Sequence, residues 1–89
     1  MARRVVFEPD AWEEYHYWSL TDRKKHEKVF ELIKEIQRSP YEGIGKPEPL
    51  KYQMQGYWSR RIDSTHCLVY EVTEEFVNIV SCRHHYEKG

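Results

Sequence analysis

Between Gly43 and Ile62 the 89-residue chain sets a carboxylate among cations on a backbone broken by glycine and proline. Glu48 stands between Pro47 and Pro49. Lys46 and Lys51 flank it, and Arg60 and Arg61 follow after a short spacer. Proline fixes its own φ and pushes the residue before it towards an extended form, so this carboxylate is held rather than left to wander. Cations close by favour its ionised form. Near the C-terminus, His84-His85-Tyr86 adds a second titratable group. Cleaving RNA without a metal needs these types: a base for the 2′-hydroxyl, an acid for the leaving 5′-oxygen and cations for the phosphorane charge. Glu48 is the candidate base and His85 the candidate acid. Lys51 and Arg61 are the candidate charge stabilisers, and Lys46, Arg60 and Arg83 are candidate substrate contacts. The same charges on an ordinary surface loop would do nothing but solvate it, and charge alone leaves that alternative open.

The elements that must hold these residues are legible in outline. Arg4 to Phe7 reads as a short strand. Pro9 suits the first turn of a helix, and Asp10, Glu13 and Glu14 suit its positive end. Ala11, Trp12, Tyr15 and Trp18 then recur at helical spacing, an aromatic stripe expected in the core. Thr21 or Asp22 caps a second helix running to about Arg38. Its buried face is Val29, Leu32, Ile33 and Ile36, with Phe30 at the edge. Its lysines and glutamates interleave on the solvent side. Ser39-Pro40 ends that helix and the glycine- and proline-rich loop follows.

Three strands close the chain, at Tyr57 to Asp63, His66 to Thr73 and Phe76 to about His84, with turns at Asp63-Ser64-Thr65 and Thr73-Glu74-Glu75. The expected fold is α+β: N-terminal helices packed on a small, mainly antiparallel sheet, in one domain over residues 1–89. Arg61, Cys67, Arg83 and His85 share a sheet face if both hairpin loops hold an odd number of residues, and three-residue loops are favoured. A two-residue loop at Glu74-Glu75 would instead set Cys67 opposite Cys82.

Composition narrows the function classes. The net charge of −1 excludes a generally basic nucleic-acid binder. The charge is local: five Lys or Arg against two Glu from Gln37 to Arg61, then five acids against two bases after it. A basic patch on a neutral protein suits a local anionic target. Two irregularly spaced cysteines suggest neither a disulfide framework nor zinc, and point to a reducing cytosol. His84 and His85 on a strand face opposite ways and chelate poorly, so neither metal nor cofactor is expected. The N-terminus reads as no signal peptide, and no stretch reaches the length of a membrane span.

Several motifs together resemble one family. Gly45-Lys46-Pro47-Glu48-Pro49-Leu50-Lys51, Gly56-Tyr57-Trp58-Ser59-Arg60-Arg61-Ile62, Leu68-Val69-Tyr70 and the terminal His85-Tyr86 look like the YoeB/Txe toxins of bacterial type II toxin–antitoxin modules. Trp12 to Trp18 and Thr21-Asp22 match as well, so the resemblance spans nearly the whole chain. It implies a microbial-ribonuclease-like, RelE-like fold. It also implies a ribosome-dependent mRNA endonuclease that cuts in the A site of the 70S ribosome and stops translation in the cytoplasm. A YefM-like antitoxin would cover the site with a segment that folds on binding. A homodimer, and operator DNA bound through the antitoxin complex, complete the implied partners.

By position, Glu48 matches the family's base, His85 its acid, Lys51 and Arg61 its phosphate contacts and Tyr86 its positioning tyrosine. One departure stands out. Cys67 lies where the family usually has an arginine, and a thiol offers no bidentate cationic fork. A catalytically attenuated module that binds its partners and cleaves poorly is the alternative, with Arg60 or Arg83 as possible substitutes for the missing charge. The extension Glu87-Lys88-Gly89 beyond the tyrosine is a smaller departure.

Overall fold

The computed structural model describes residues 2–83. In order they form β1 (Arg4–Phe7), α1 (Pro9–Thr21), α2 (Arg23–Ile36), β2 (Glu48–Pro49), a 3₁₀ turn (Tyr52–Met54), β3 (Trp58–Arg61), β4 (Cys67–Val72) and β5 (Phe76–Ser81). His85 and Tyr86 lie outside the described residues.

Local chemistry sets the helix ends. Pro9 sits in the first turn of α1, where a missing N–H breaks no bond. Asp22 closes α1 and opens α2. Its backbone N–H donates to the Trp18 carbonyl at 2.9 Å, and its side chain accepts from the Lys25 amide at 3.2 Å. Val29, Leu32, Ile33 and Ile36 are all buried, as their spacing predicts. Burying a side chain such as Leu32 contributes about 1.5–3 kcal/mol.

The aromatic stripe of α1 divides, contrary to expectation. Ala11 and Trp18 are buried, and the Trp18 indole donates to the Cys82 carbonyl at 2.8 Å. Trp12 stays 59% exposed. It lies about 100° around the helix from Ala11, so the two cannot both face the sheet. Trp12 packs edge-on against Phe7, and Tyr15 stacks on His26, with ring centroids 5.3 and 4.3 Å apart.

The sheet order is β1-β5-β4-β3-β2. All pairs are antiparallel except β1 with β5, which is parallel. The two-residue β2 is not legible as a strand. Pro49 pairs with Trp58 there, and an edge strand tolerates its missing N–H.

The hairpins revise the expected loops. The first has a three-residue loop, Asp63-Ser64-Thr65, closed by the Ile62 amide donating to the His66 carbonyl at 2.9 Å. The second has a two-residue turn, Glu74-Glu75, closed by the Thr73 amide and the Phe76 carbonyl at 2.9 Å. The favoured three-residue loop is therefore wrong here. A β-bulge supplies the missing residue instead: Tyr70 pairs with Ile79, but Val69 pairs with Ser81. The one-residue slip changes the parity partway along the strand pair. Cys67 thus avoids the register opposite Cys82 that a two-residue turn would otherwise impose.

One sheet face carries Trp58, Leu68, Tyr70, Val72, Val77 and Ile79 against the two helices. Lys25 clamps the helix pair to the first hairpin, 2.7 Å from Asp22 and 3.2 Å from Asp63. Asp22, Glu35 and Asp63 all lie below their ordinary pKa values. For Asp22 the main cause is the Lys25 ammonium. Burial pushes Glu35 and Asp63 upward, but it is outweighed by donors: the Ile44 amide and Arg60 for Glu35, the His66 and Thr65 amides and Lys25 for Asp63. Carboxylates depressed in the folded state stabilise it above their unfolded values and lose that contribution as pH falls through the folded ones. Thermal unfolding followed by circular dichroism is expected to give a melting temperature that drops once pH passes below the ordinary values of 3.8 and 4.5. Asp63→Asn should lower stability at neutral pH and flatten that acid limb.

Candidate anion-binding site on the open sheet face

Alternation along β3 separates two neighbouring arginines. Trp58, Arg60 and Ile62 turn towards the helices, and Ser59 and Arg61 turn away. Arg60 is completely buried and Arg61 is exposed. The site lies on Arg61's side.

Register assembles it. Glu48 pairs with Ser59, and Arg61 pairs with Cys67, all by antiparallel ladders, so the four side chains share one face. Directly opposed residues such as Arg61 and Cys67 have Cβ atoms about 4.5–5.5 Å apart, and diagonal neighbours such as Glu48 and Arg61 lie about 7–8 Å apart. Glu48 is half-buried on the edge strand. Cys67 is nearly covered, at 9% exposure. Lys46 and Lys51 are exposed and stand before and after β2. The Leu50 amide donates to the Tyr57 carbonyl at 2.8 Å, which carries the ladder up to Lys51 and the 3₁₀ turn.

The loop before β2 holds an unusual conformation. Lys46 has φ of 51°, and Tyr52 has φ of 59°. These two non-glycine residues in the left-handed region bracket Glu48, and such strain persists only where the surroundings over-determine it. Here they do. The Gly45 carbonyl accepts from the Arg61 amide at 2.6 Å. A Cβ on Gly45 would lie 2.9 Å from Leu32 Cδ2 and 3.1 Å from the Arg61 carbonyl oxygen. The Ile44 amide donates to Glu35 Oε1 at 2.8 Å.

Two expected substrate contacts are placed elsewhere. Arg60 contacts Glu35, Tyr70 and loop carbonyls inside the domain, so it cannot meet a substrate on the open face. The signal was present in the sequence: Arg60 alternates with Trp58 and Ile62, the apolar positions of its strand. Arg83 rests over the Tyr17 ring of α1, 3.7 Å from its centroid, beyond the end of β5. The contacts of Glu35 and Tyr70 with Arg60 leave no mark in the sequence, because the partners lie 25 and 10 residues away. Cys82 is buried under α1 with its thiol pKa pushed up to about 12, chiefly by burial and further by Glu14, so it is no nucleophile at neutral pH. Among the described residues no group of three or more His, Cys, Asp and Glu side chains could hold a metal ion.

Two helices backing a mixed sheet define an α+β fold, shared at 22% identity and a TM-score of 0.71 with a chain of the toxin–antitoxin complex RelBE2 from Mycobacterium tuberculosis. The family model for the YoeB-like toxin of bacterial type II toxin–antitoxin systems matches residues 7–86. Toxin YoeB of Mycobacterium bovis is 51% identical over 84 residues, covering 94% of this chain and 99% of the relative. In the YoeB dimer from Staphylococcus aureus, the matched chain is 44% identical with a TM-score of 0.89, covering 97% of this chain and 100% of that one. A heterotetrameric YoeB–YefM complex from the same organism gives 45% identity and a TM-score of 0.87, with the same coverage. The chain belongs to the YoeB-like toxins of bacterial type II toxin–antitoxin systems.

The loop geometry yields a stability test away from the chemistry. Gly43 has φ of 126°, and a Cβ there would sit 1.9 Å from Glu35 Oε1. Gly43→Ala must therefore push the Glu35 carboxylate off Arg60 as well as strain the backbone. Urea denaturation should show a loss of roughly 2–3 kcal/mol.

Proposed function

We propose that this toxin is a ribosome-dependent mRNA endonuclease, a single domain over residues 1–89, which cuts the A-site codon by metal-free acid–base chemistry. Glu48 takes the proton from the 2′-hydroxyl, and the oxygen it frees attacks the adjacent phosphorus. His85 protonates the leaving 5′-oxygen, and Tyr86 helps position the site. Arg61 and Lys51 offset charge on the phosphorane, and Lys46 adds a contact to the backbone phosphates. The observation that carries this reading is the register that sets Glu48 and Arg61 as diagonal neighbours on one open face, with Lys46 and Lys51 at either end of the carboxylate's strand.

The partners follow from the family and its solved members. The complex with YefM and the dimer, both from Staphylococcus aureus, support a YefM-like antitoxin and a homodimer for this chain. The 70S ribosome, A-site mRNA and, through the antitoxin complex, operator DNA are the further partners of this reading, which places the protein in the cytoplasm. No helix among the described residues is long and apolar enough to cross a membrane.

Cys67 favours a second reading. It pairs directly with Arg61 and offers a thiol where the family usually has a guanidinium. Arg60 and Arg83 are engaged elsewhere. Losing one transition-state donor costs on the order of 10²–10³-fold, so the chain would bind antitoxin and ribosome and cleave slowly.

Primer-extension mapping on mRNA in a reconstituted bacterial translation reaction tests both. Wild type should give ribosome-dependent cuts. Glu48→Ala and His85→Ala should each lose on the order of 10²–10⁴-fold while keeping the wild-type circular dichroism spectrum. Undiminished cutting by both folded variants would remove the acid–base pair. A sharp gain on Cys67→Arg marks an attenuated enzyme, and no gain marks a competent one.

A further inference from the structure

We infer that Arg60 and Glu35 are positioning residues for the cleavage site, a partly buried ion pair that fixes the loop of residues 39–46 and through it the placement of Lys46 and Glu48. The catalytic consequence rests on the nuclease reading; the loop anchoring does not.

Donor accounting supports it. A guanidinium has five N–H groups in a rigid fork. In Arg60 each has an acceptor. Nε donates to the Tyr70 hydroxyl at 3.2 Å. Nη1 donates to Glu35 Oε1 and to the Ile44 carbonyl. Nη2 donates to the Ser39 and Glu42 carbonyls. The Tyr70 hydroxyl in turn donates a hydrogen bond to the Pro40 carbonyl at 2.6 Å. Glu35 Oε1 accepts the Ile44 amide as well. Irregular backbone that would otherwise bury unpaired carbonyls is thereby tied, at Ser39, Pro40, Glu42 and Ile44, to one side chain of β3 and its partners.

The geometry runs from this knot to the chemistry in a few residues. Arg60 pins the carbonyl of Ile44, and the Arg61 amide pins that of Gly45. Lys46 follows in its left-handed conformation, then Pro47, then Glu48 in the ladder with Ser59. A single pleat thus joins the two functions of the arginine pair: Arg60 holds the loop from behind while Arg61 faces the anion. Stability alone does not account for an ion pair here, because well-packed apolar residues often do as well. The specific gain of a guanidinium is that it fixes several carbonyls of one loop at once.

The test uses the full-length chain with four variants. Arg60→Lys keeps the charge but has only three donors. Glu35→Gln keeps the shape. Tyr70→Phe is the mildest lesion, and the pair Glu35→Leu with Arg60→Met replaces the ions by apolar groups. The first measurement is amide hydrogen exchange at Ile44 and Arg61 by NMR, which needs no cleavage. Exchange should rise by about tenfold or more in Glu35→Gln and Arg60→Lys, while amides of Val77 and Ile79 keep their protection. Unchanged exchange at Ile44 and Arg61 overturns the anchoring. The second is cleavage on programmed ribosomes, resolved into kcat and KM. A misplacement of about 1 Å costs on the order of 10²-fold, so kcat should fall by that order with KM held. The apolar pair removes the stranded charge but leaves the Ser39, Glu42 and Ile44 carbonyls without their donor, so it should remain as slow even where part of the melting temperature returns. Recovery of kcat alongside melting temperature would reduce the pair to a structural role and overturn the proposal. An inactive wild-type chain would remove the nuclease reading instead, and exchange would then decide the anchoring alone. Should Arg60→Lys fail to fold, Tyr70→Phe carries both measurements.

Discussion

A guanidinium without solvent must find acceptors for every hydrogen it carries, and much of this structure answers that requirement. Arg60 is fully buried on the helix side of the sheet. An uncompensated charge there would cost several kcal/mol. Glu35 supplies the countercharge from the last turns of α2, and Tyr70 supplies a hydroxyl from β4. The remaining acceptors are carbonyls of the segment that leaves α2. The demand of one side chain therefore sets the path of a loop that has no regular structure of its own. Glycine enters for the same reason. Gly43 passes against the Glu35 carboxylate and Gly45 against Leu32, and neither position has room for a Cβ.

The other half of the organisation is parity. A strand turns successive residues to opposite faces, so Arg60 inside requires Arg61 outside. The ladders then carry Arg61's side across to Cys67 on β4, and Ser59's to Glu48 on β2. Parity is easily lost over a hairpin, because one residue more or less exchanges the faces. The bulge beside Tyr70 shows the fold correcting such a loss: a tight two-residue turn closes β4 and β5, and the slip at Val69 and Tyr70 restores odd with odd before the strands end. The core cluster lies on the helix side of the sheet, while Lys46, Lys51 and Arg61 are exposed.

The helices, β1 and the three C-terminal strands were legible because each rests on signals within a few residues: Pro9, Asp22, the spacing of Val29 to Ile36, the turn at Asp63. The boundaries moved by one to three residues, most at the end of β5. The charge pattern singled out Glu48, Lys51 and Arg61 as candidates, and register makes Glu48 and Arg61 diagonal neighbours. Three features were not legible, for a common reason. The two-residue β2 exists only because β3 pairs with it. The exposure of Trp12 depends on what α1 packs against. The role of Arg60 depends on Glu35, 25 residues away, and on carbonyls, which carry no mark in a sequence. Arg60 also shows the hazard of reading charge as function: the most basic dipeptide of the motif divides into one structural and one surface cation.

The exposure of the remaining cations bears on why such a site would need a partner. Lys46, Lys51 and Arg61 lie in water, where a charge pair at 4 Å is worth only about 1 kcal/mol, against about 4 at the effective dielectric of a partly covered surface. With a net charge of −1, the chain gathers no RNA from a distance. Both effects change when a large partner covers the open face: water is displaced, the same cations act more strongly on a phosphate, and the substrate arrives already oriented. The buried knot behind the sheet gains its value in that setting. Orientation supplied from outside is useful only if Glu48 and Lys46 keep their own positions, and the flexible lysine stems and the open loop cannot ensure this alone. A rigid interior anchor joined by one pleat to an exposed cationic face is the arrangement that the proposed scaffold-dependent cleavage would require.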